Sequence, residues 1–229
     1  MKQAVILCAG RGSRLAPLTD KIPKVLVEVD GVSLLEYKLK LLDGLVDEVI
    51  LIIGYKGDMI REKFGDVYGG LKIKYCVQEK TLGSGHAILQ AKDLLTDQFI
   101  VLNGDDFYLR GDLEKLLLER FAILGFEVDN PKSFGVLNID ERGHLVAVDE
   151  KPEFPKSNFV NIGVYAFDVS IFDKKLEKSS RGEYEIIDYL NYIISKYQNV
   201  RVLRSDFWAP VNDFDQLKAV GKKLKDINS

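Results

Sequence analysis

The residues with the most chemical character crowd into one stretch, Cys8-Ala9-Gly10-Arg11-Gly12-Ser13-Arg14-Leu15-Ala16-Pro17-Leu18-Thr19, directly after the apolar run Ala4–Leu7. Gly10 and Gly12 let the backbone, together with Ala9 and Ser13, come close to a ligand and turn N–H groups toward anionic oxygens. Arg11 and Arg14 add permanent charge, and a guanidinium can grip phosphate oxygens at two points. Lys24, in Ile22-Pro23-Lys24-Val25-Leu26, supplies a further cation behind a stiffening proline. Two common phosphate motifs are absent. Leu15 stands where a dinucleotide-binding G-x-G-x-x-G needs its third glycine, and no G-x-x-x-x-G-K-[ST] string occurs. Alone, the stretch would equally serve as a glycine turn with solvated arginines.

Two later segments add chemistry. In Gln78-Glu79-Lys80-Thr81-Leu82-Gly83-Ser84-Gly85-His86-Ala87, the Gln78 amide can both donate and accept, which suits the O4 and N3–H edge of uracil or thymine. Gly83 permits close approach of a base, and Ser84 is expected to cap a helix. Asn103-Gly104-Asp105-Asp106 follows another apolar run. A carboxylate there suits magnesium, which takes oxygen ligands, few of them from protein, plus substrate phosphates. Asp106 is read as a turn or helix-entry carboxylate. His86 and His144 are read as structural or surface residues, and Cys8 as a small, buried, inert thiol.

These residues need a frame to hold them. Short apolar runs, Ala4–Leu7, Val49–Ile53, Ile73–Val77 and Phe99–Leu102, alternate with helical patterns at Leu34–Leu42 (entered by Ser33), Asp58–Phe64 and His86–Leu95, with Asp112–Ala122 after the fourth run. Runs apolar on both faces and separated by helices read as parallel strands of an α/β sheet. The second half differs. Phe134–Ile139 and Leu145–Val148 flank the polar turn 141–144 as a hairpin, and Val160–Phe167 is a long strand followed by a helix at Ser170–Leu176. A helix over Tyr184–Tyr197, strands at Val200–Leu203 and Phe207–Val211, and a helix over Asp213–Leu224 complete the chain. The reading is a single domain, with residues 1–110 a nucleotide-binding half and 111–229 an acceptor-binding half. Ligands of such open sheets sit beyond the carboxyl ends of the strands.

Composition narrows the classes. With 229 residues, 46% of them hydrophobic and 29% charged, the chain has the make-up of one ordinary globular domain. A formal net charge of −3 argues against a broad nucleic-acid or anionic-membrane surface, so anion binding must be local. The apolar run at the N-terminus is too short for a signal-peptide core, and no stretch approaches the roughly 20 apolar residues of a membrane span. Two cysteines, Cys8 and Cys76, make no disulfide framework or zinc site. The cytoplasm is the expected compartment.

Gly10-x-Gly12-Ser13-Arg14-Leu15-x-Pro17-Leu18-Thr19 followed by Pro23-Lys24 resembles the signature of the sugar-1-phosphate nucleotidylyltransferases, and the likeness runs along essentially the whole chain. It implies a Rossmann-like, GT-A-type α/β fold, with a mixed, mainly parallel sheet flanked by helices. It implies too a magnesium-dependent transfer from a nucleoside triphosphate, UTP or dTTP foremost, to a sugar 1-phosphate. Gln78 to Ala87 is similar to the base-recognition stretch of bacterial N-acetylglucosamine-1-phosphate uridylyltransferases. By the same resemblance Asp105 is a metal ligand, Glu150 (in Glu150-Lys151-Pro152) holds sugar hydroxyls and Lys151 the sugar phosphate. Gly135 gives the sugar access to the sheet, Asn161 (in Asn161-Ile162-Gly163) contacts it, and Gly182-Glu183-Tyr184-Glu185 matches a further family element. In Trp208-Ala209-Pro210-Val211-Asn212-Asp213, Pro210 stands where thymidylyltransferases carry a metal-binding Asp. Val211-Asn212 instead resembles the uridylyltransferase type, which assigns the second metal ligand to Asn212, although that type has Gly where this chain has Pro210. A helix cap is the other reading of Asn212.

The implied chemistry is in-line attack of a sugar-phosphate oxygen on the α-phosphorus, with no covalent intermediate and no general base. Arg14 would stabilise the departing pyrophosphate, and Lys24 and Lys151 would hold the reacting phosphates. Two rivals stand beside it. One is a cytidylyltransferase acting on phosphocholine, an inositol phosphate or a similar acceptor, with Gln78 rotating its amide to suit cytosine. The other is a non-catalytic regulatory subunit of the same fold, against which Arg14, Lys24, Asp105 and Lys151 speak. At 229 residues there is no room for the hexapeptide-repeat acetyltransferase domain many uridylyltransferases carry, so transfer alone is expected. The sugar, the choice between UTP and dTTP, and the oligomeric state stay open.

Overall fold

The computed structural model describes residues 1–228. In chain order the elements are β1 (Gln3–Leu7), α1 (Leu18–Lys21), β2 (Glu28–Val29), β3 (Val32–Ser33), α2 (Leu34–Leu42), β4 (Glu48–Ile53), α3 (Gly57–Phe64), β5 (Val67–Tyr68), β6 (Leu71–Val77), α4 (Ser84–Leu89) and β7 (Gln98–Asn103). There follow β8 (Asp106–Tyr108), α5 (Arg110–Leu116), β9 (Ala122–Glu127), β10 (Gly135–Ile139), β11 (Leu145–Glu150), β12 (Phe159–Asp168), α6 (Ile186–Tyr197), β13 (Arg201–Arg204), β14 (Trp208–Pro210) and α7 (Phe214–Asn228).

Among the described residues the main sheet has ten strands, along the path β11-β10-β12-β7-β1-β4-β6-β5, with β9 pairing β12 and β13. Its centre, β7-β1-β4-β6, is parallel in register, for example Val5 with Ile50 and Val101. The antiparallel pairs lie in the second half and at the β5 edge. The expected mixed, mainly parallel sheet is therefore present. Alternation explains why its central strands are apolar throughout. Ala4, Ile6, Val49, Leu51, Ile100 and Leu102 face one core with Leu35, Leu39 and Leu42 of α2, Ile60 and Phe64 of α3, and Leu113 and Leu116 of α5. Val5, Ile50, Ile52, Phe99 and Val101 face the other, against Ala87 and Ile88 of α4 and Ile186, Tyr189, Leu190 and Ile193 of α6.

Several boundaries differ from the sequence reading. Ser33 caps α2 as expected, its hydroxyl accepting from Glu36 N at 3.4 Å. The helix expected over His86–Leu95 runs only over Ser84–Leu89, with a separate 3-10 turn at Lys92–Leu94. The helix expected over Asp112–Ala122 ends at Leu116, because Ala122 opens β9, a strand the sequence reading omitted. Gly125 breaks that strand's apolar pattern, since a Cβ there would stand 2.5 Å from Phe159 Cζ. Ser170–Leu176 is no α-helix but a 3-10 turn over Val169–Asp173. The two-stranded pair β2–β3 and the pair β8–β14 were also not anticipated.

Candidate active site

β1 lies between β4 and β7, and the helix α2 that leads on from it to β4 and the helix α4 that leads into β7 pack on opposite faces, which opens at the carboxyl end of β1 the crevice where open α/β sheets bind ligands. Here the loop after β1 is held from inside. Leu15 is fully buried in a small cluster with Val27, Leu34, Phe107, Ala209, Val211 and Val220. Thr19 Oγ1 donates to Gly12 O at 2.9 Å. Gly12 has φ +67°, and a Cβ on it would meet Lys24 Cβ at 2.7 Å, so Lys24 packs on the bare glycine. Gly10 differs: a Cβ there would touch no described atom within 4 Å. Nothing inside the protein asks for glycine at 10, whereas an approaching ligand would.

Lys24 is buried and its Nζ donates to Asp105 Oδ2. The sequence reading gave these two residues separate partners; here they hold each other at the end of β7. Val211 N donates to Asp105 O at 3.2 Å, and β14 pairs with β8 in the register Pro210–Asp106. These contacts bring Asn212 to the same strand end, where its Oδ1 accepts from Arg14 Nη2 at 3.3 Å. The helix-cap alternative for Asn212 is taken by its neighbour, since Asp213 Oδ1 accepts from Gln216 N at 2.8 Å at the start of α7. Asp105 and Asn212 thus offer side-chain oxygens from joined backbone segments. An all-oxygen donor pair of this kind suits magnesium; among the described residues no group of three or more His, Cys, Asp or Glu side chains could hold a metal ion.

Asp106 is not the turn carboxylate expected. It lies in β8, 5% exposed, with Tyr108 Oη donating to it at 3.1 Å and Asn103 Nδ2 at 3.4 Å. Burial first, and then the Asp105 charge, push its carboxyl up to about 7. Nearby, Lys38 is fully buried on α2 with no hydrogen-bond partner for Nζ, which lies over the Phe107 and Tyr108 rings at 5.2 Å each. Burial lowers its ammonium to about 8, against the opposing pull of Asp106 and Asp105. Burial also raises the Cys8 thiol, in line with an inert cysteine.

Two clefts open on this strand end. One, of about 380 Å³, is lined by Ala9, Gly10, Gln78, Gly83, Ser84 and Asp105, among others. The other, about 200 Å³, is lined by Glu150, Asn161, Tyr165, Arg181 and Glu185 among others, and both share Leu7, Ser84 and Asn103. Of the sequence-predicted residues, Ala9, Gly10, Gln78, Gly83, Ser84 and Asp105 line the first cleft and Ser84, Glu150 and Asn161 the second, while Gly12, Ser13, Arg14, Lys24, Gly135, Lys151 and Asn212 line neither. Lys151 is exposed on the outer margin of the second cleft, at φ +49°, with its N–H donating to Phe134 O at 3.0 Å. Ser13 sits at the exposed start of a 3-10 turn.

Some roles change. Ser84 is the first residue of α4, not its cap; its hydroxyl accepts from Ile186 N at 3.0 Å and so serves α6. Gly83 has φ +110°, and a Cβ on it would lie 2.3 Å from Tyr184 O, so the Gly182–Glu185 element packs directly on the Gln78–Ala87 segment. The space beside Gly135 is filled by Val148 Cγ1 and Glu150 Oε2, 2.8 and 3.0 Å from where a Cβ would stand. Gly135 therefore seats Glu150. Asn161 is braced on both sides, its Oδ1 accepting from Gly163 N at 2.9 Å and its Nδ2 donating to Tyr165 Oη at 2.8 Å.

Sequence reasoning missed Asn103, Lys38, Tyr165 and Arg181. Arg181 grips Glu185 through Nη2 at 2.6 Å and Nε at 3.1 Å and reaches Glu150 at 3.5 Å. Asn103 had a signal: Gly163 (φ +77°) would place a Cβ 2.0 Å from Asn103 Nδ2, so the glycine two residues after Asn161 exists to admit Asn103.

The fold and these clefts define a nucleotide-handling α/β protein. Residues 3–226 match the nucleotidyl transferase family, and the chain belongs to it. It is 38% identical over 229 residues to the bifunctional protein GlmU of Methanocaldococcus jannaschii, which covers 99% of this chain and 55% of that protein. It thus spans about half the length of that relative. It is 35% identical over 216 residues to the UTP–glucose-1-phosphate uridylyltransferase AglF of Haloferax volcanii, covering 90% and 89% of the two chains. The crystal structure of a putative glucose-1-phosphate thymidylyltransferase from Bacillus anthracis, in complex with a sucrose, superposes with a TM-score of 0.88 at 27% identity, over 100% and 97% of the chains. No helix among the described residues is long and apolar enough to cross a membrane.

Proposed function

We propose that this chain transfers a nucleotidyl group from UTP or dTTP to a sugar 1-phosphate, releasing pyrophosphate. The observation that carries the reading is the pair of clefts meeting at Asn103: the glycine loop, Gln78 and Asp105 on one side, Glu150 and Asn161 on the other. Two substrates seated there would bring a phosphate from each to the same strand end. Residues 1–110 then serve as the nucleotide half and the remainder as the acceptor half. The names of the uridylyltransferase and thymidylyltransferase relatives support the substrate class.

The loop amides around Gly10, with Arg14, would neutralise the β- and γ-phosphates, and Arg14 would steady the departing pyrophosphate. Gln78 and Gly83 would hold the base. Glu150 would hold sugar hydroxyls, with Asn161 presented to the sugar by Gly163 and Tyr165. Lys24 and Lys151 would hold the reacting phosphates. On this reading Lys24 leaves Asp105 when substrate phosphate arrives, exchanging one anionic partner for another. Asp105 and Asn212 would hold Mg2+, which when bound supplies charge neutralisation between the two substrates. The acceptor oxygen is already anionic at neutral pH, so the α-phosphorus is attacked directly and no protein base is needed. The unpaired Cys8 and Cys76 suit a reducing compartment such as the cytoplasm.

The test is pyrophosphate release measured for each nucleoside triphosphate against a panel of sugar 1-phosphates with magnesium. Turnover is expected with UTP or dTTP and at least one hexose 1-phosphate. No release in any combination, or release only with a non-sugar phosphate acceptor, would refute the reading.

A further inference from the structure

The buried end of the base cleft holds an arrangement that bears on which pyrimidine it accepts. Gln78 is 4% exposed, and its Nε2 lies 3.1 Å from Gly83 O and 3.0 Å from His86 Nδ1. A carbonyl oxygen only accepts, so the group facing Gly83 O must be the amide nitrogen; the opposite orientation would set two oxygens against each other. Both N–H groups of Gln78 are then committed, one to Gly83 and one to His86. For the second bond His86 Nδ1 must be the acceptor, which puts the ring proton on Nε2. Gln90 Nε2 also lies 3.3 Å from His86 Nε2, and a neutral imidazole cannot accept at both nitrogens. Gln90 Nε2 already donates to His86 O at 3.2 Å and lies at the surface, so its other N–H and the ring N–H can both turn to water, an outlet the buried Gln78 lacks. The ring itself is steadied by Tyr184, whose ring lies 6.3 Å away at an interplanar angle of 29°.

We infer that His86 is a specificity-positioning residue: it fixes the Gln78 amide so that only its oxygen faces the base cleft, and the site thereby selects a pyrimidine carrying N3–H over cytosine. This rests on the proposed nucleotidyl transfer and deepens it. Uracil and thymine offer an N–H at N3, which the fixed Oε1 accepts. Cytosine seated in the same pose sets the lone pair of its N3 against that oxygen. The rotation of Gln78 that would suit cytosine is blocked, because it would face Oε1 toward Gly83 O and leave two donors pointing at the cleft. His86 does not touch substrate; it acts through Gln78.

The experiment measures Kd for UTP and for CTP by calorimetry on the whole chain, for the wild type and for His86→Leu, His86→Ala and His86→Asn. Wild type is expected to prefer UTP. His86→Leu and His86→Ala free one Gln78 N–H, and the UTP-to-CTP preference is expected to fall about tenfold, the worth of one hydrogen bond. His86→Asn can set Oδ1 where Nδ1 stands and is expected to keep the preference. A preference unchanged in both the Leu and Ala variants, or absent in the wild type, overturns the inference. Affinity for the sugar 1-phosphate reads separately, since general disruption would weaken both substrates while a positioning role moves only the base ratio. A wild type that keeps the UTP preference yet releases no pyrophosphate with any sugar 1-phosphate would count against the proposed reaction and leave the His86 assignment standing.

Discussion

Gly10 and Gly12 lie two positions apart in one loop, yet substituting each with alanine should give opposite signatures. At Gly10 the backbone is not left-handed and an added Cβ meets nothing within 4 Å. Gly10→Ala should therefore fold as well as wild type, or more stably by about 0.4–1 kcal/mol through a stiffer unfolded chain. Its cost should fall on the triphosphate: a methyl group where phosphate oxygens must approach removes one or two charge-assisted hydrogen bonds, at about 1.5–3 kcal/mol each. That predicts a loss of kcat/KM for the triphosphate of roughly 10- to 25,000-fold. At Gly12, φ is +67° and the new Cβ would lie 2.7 Å from Lys24 Cβ. The left-handed backbone costs about 1–2 kcal/mol and the overlap about 1–3 more. For a domain of this size each kcal/mol lowers Tm by about 2–4 °C, so Gly12→Ala should melt roughly 4–20 °C lower and lose turnover as Lys24 is displaced. Thermal melts and pyrophosphate-release kinetics on both variants decide the matter. A Gly10→Ala protein with wild-type kcat/KM, or one as destabilised as Gly12→Ala, would refute the reasoning that Gly10 is open for a ligand.

Three further outcomes are expected. On the proposed mechanism Asp105→Ala and Lys24→Ala should each lower kcat by at least about a hundredfold in magnesium-saturated pyrophosphate-release assays, since each would remove a charge proposed to act at the reacting phosphates; wild-type activity should vanish with EDTA and return with magnesium, and near-normal turnover in both variants would contradict the assignment. Lys38→Met should stabilise the fold below pH 8 by about 3 kcal/mol, because the buried ammonium is held near 8 while the unfolded chain titrates at its ordinary value. Between those two values the unfolded chain binds the extra proton, so wild-type stability rises with pH there. The advantage of the Met variant should shrink from pH 8 upward in denaturant melts, and a gap constant from pH 7 to 10 would contradict the account.

Local pattern revealed the parallel core and the glycine loop, because both are written in contiguous residues: β-type runs apolar on both faces, and Gly10 to Thr19 with Lys24. The boundaries that slipped were set by distant partners. Ala122–Glu127 is a strand because β12 and β13 lie on either side of it, and its Gly125 makes sense only beside Phe159. The reading of Asp106 failed for the same reason: its burial depends on Tyr108 and Asn103, and on β14 arriving from far along the chain. Lys38 could have been found. It falls three residues after Leu35 and four after Leu34 on a helix whose apolar face is built from those positions, so a cation there had to be buried. Arg181 carried no such mark, since its ties to Glu150 and Glu185 become visible only once the two segments are adjacent.

The link from Val211 N to Asp105 O, and the packing of Leu15 against Val211 and Val220, have a temporal consequence. Ribosomes deliver the chain from the N-terminus at about 5–20 residues per second, so roughly 10–40 s separate the emergence of the loop at Leu15 from that of Asn212. During that interval the parallel strands can pair, but the loop lacks its hydrophobic anchor and Asp105 lacks its neighbour. A nascent chain stalled before Val211 would carry a sheet without that anchor, and the loop would be set only once the segment from Val211 onward had emerged.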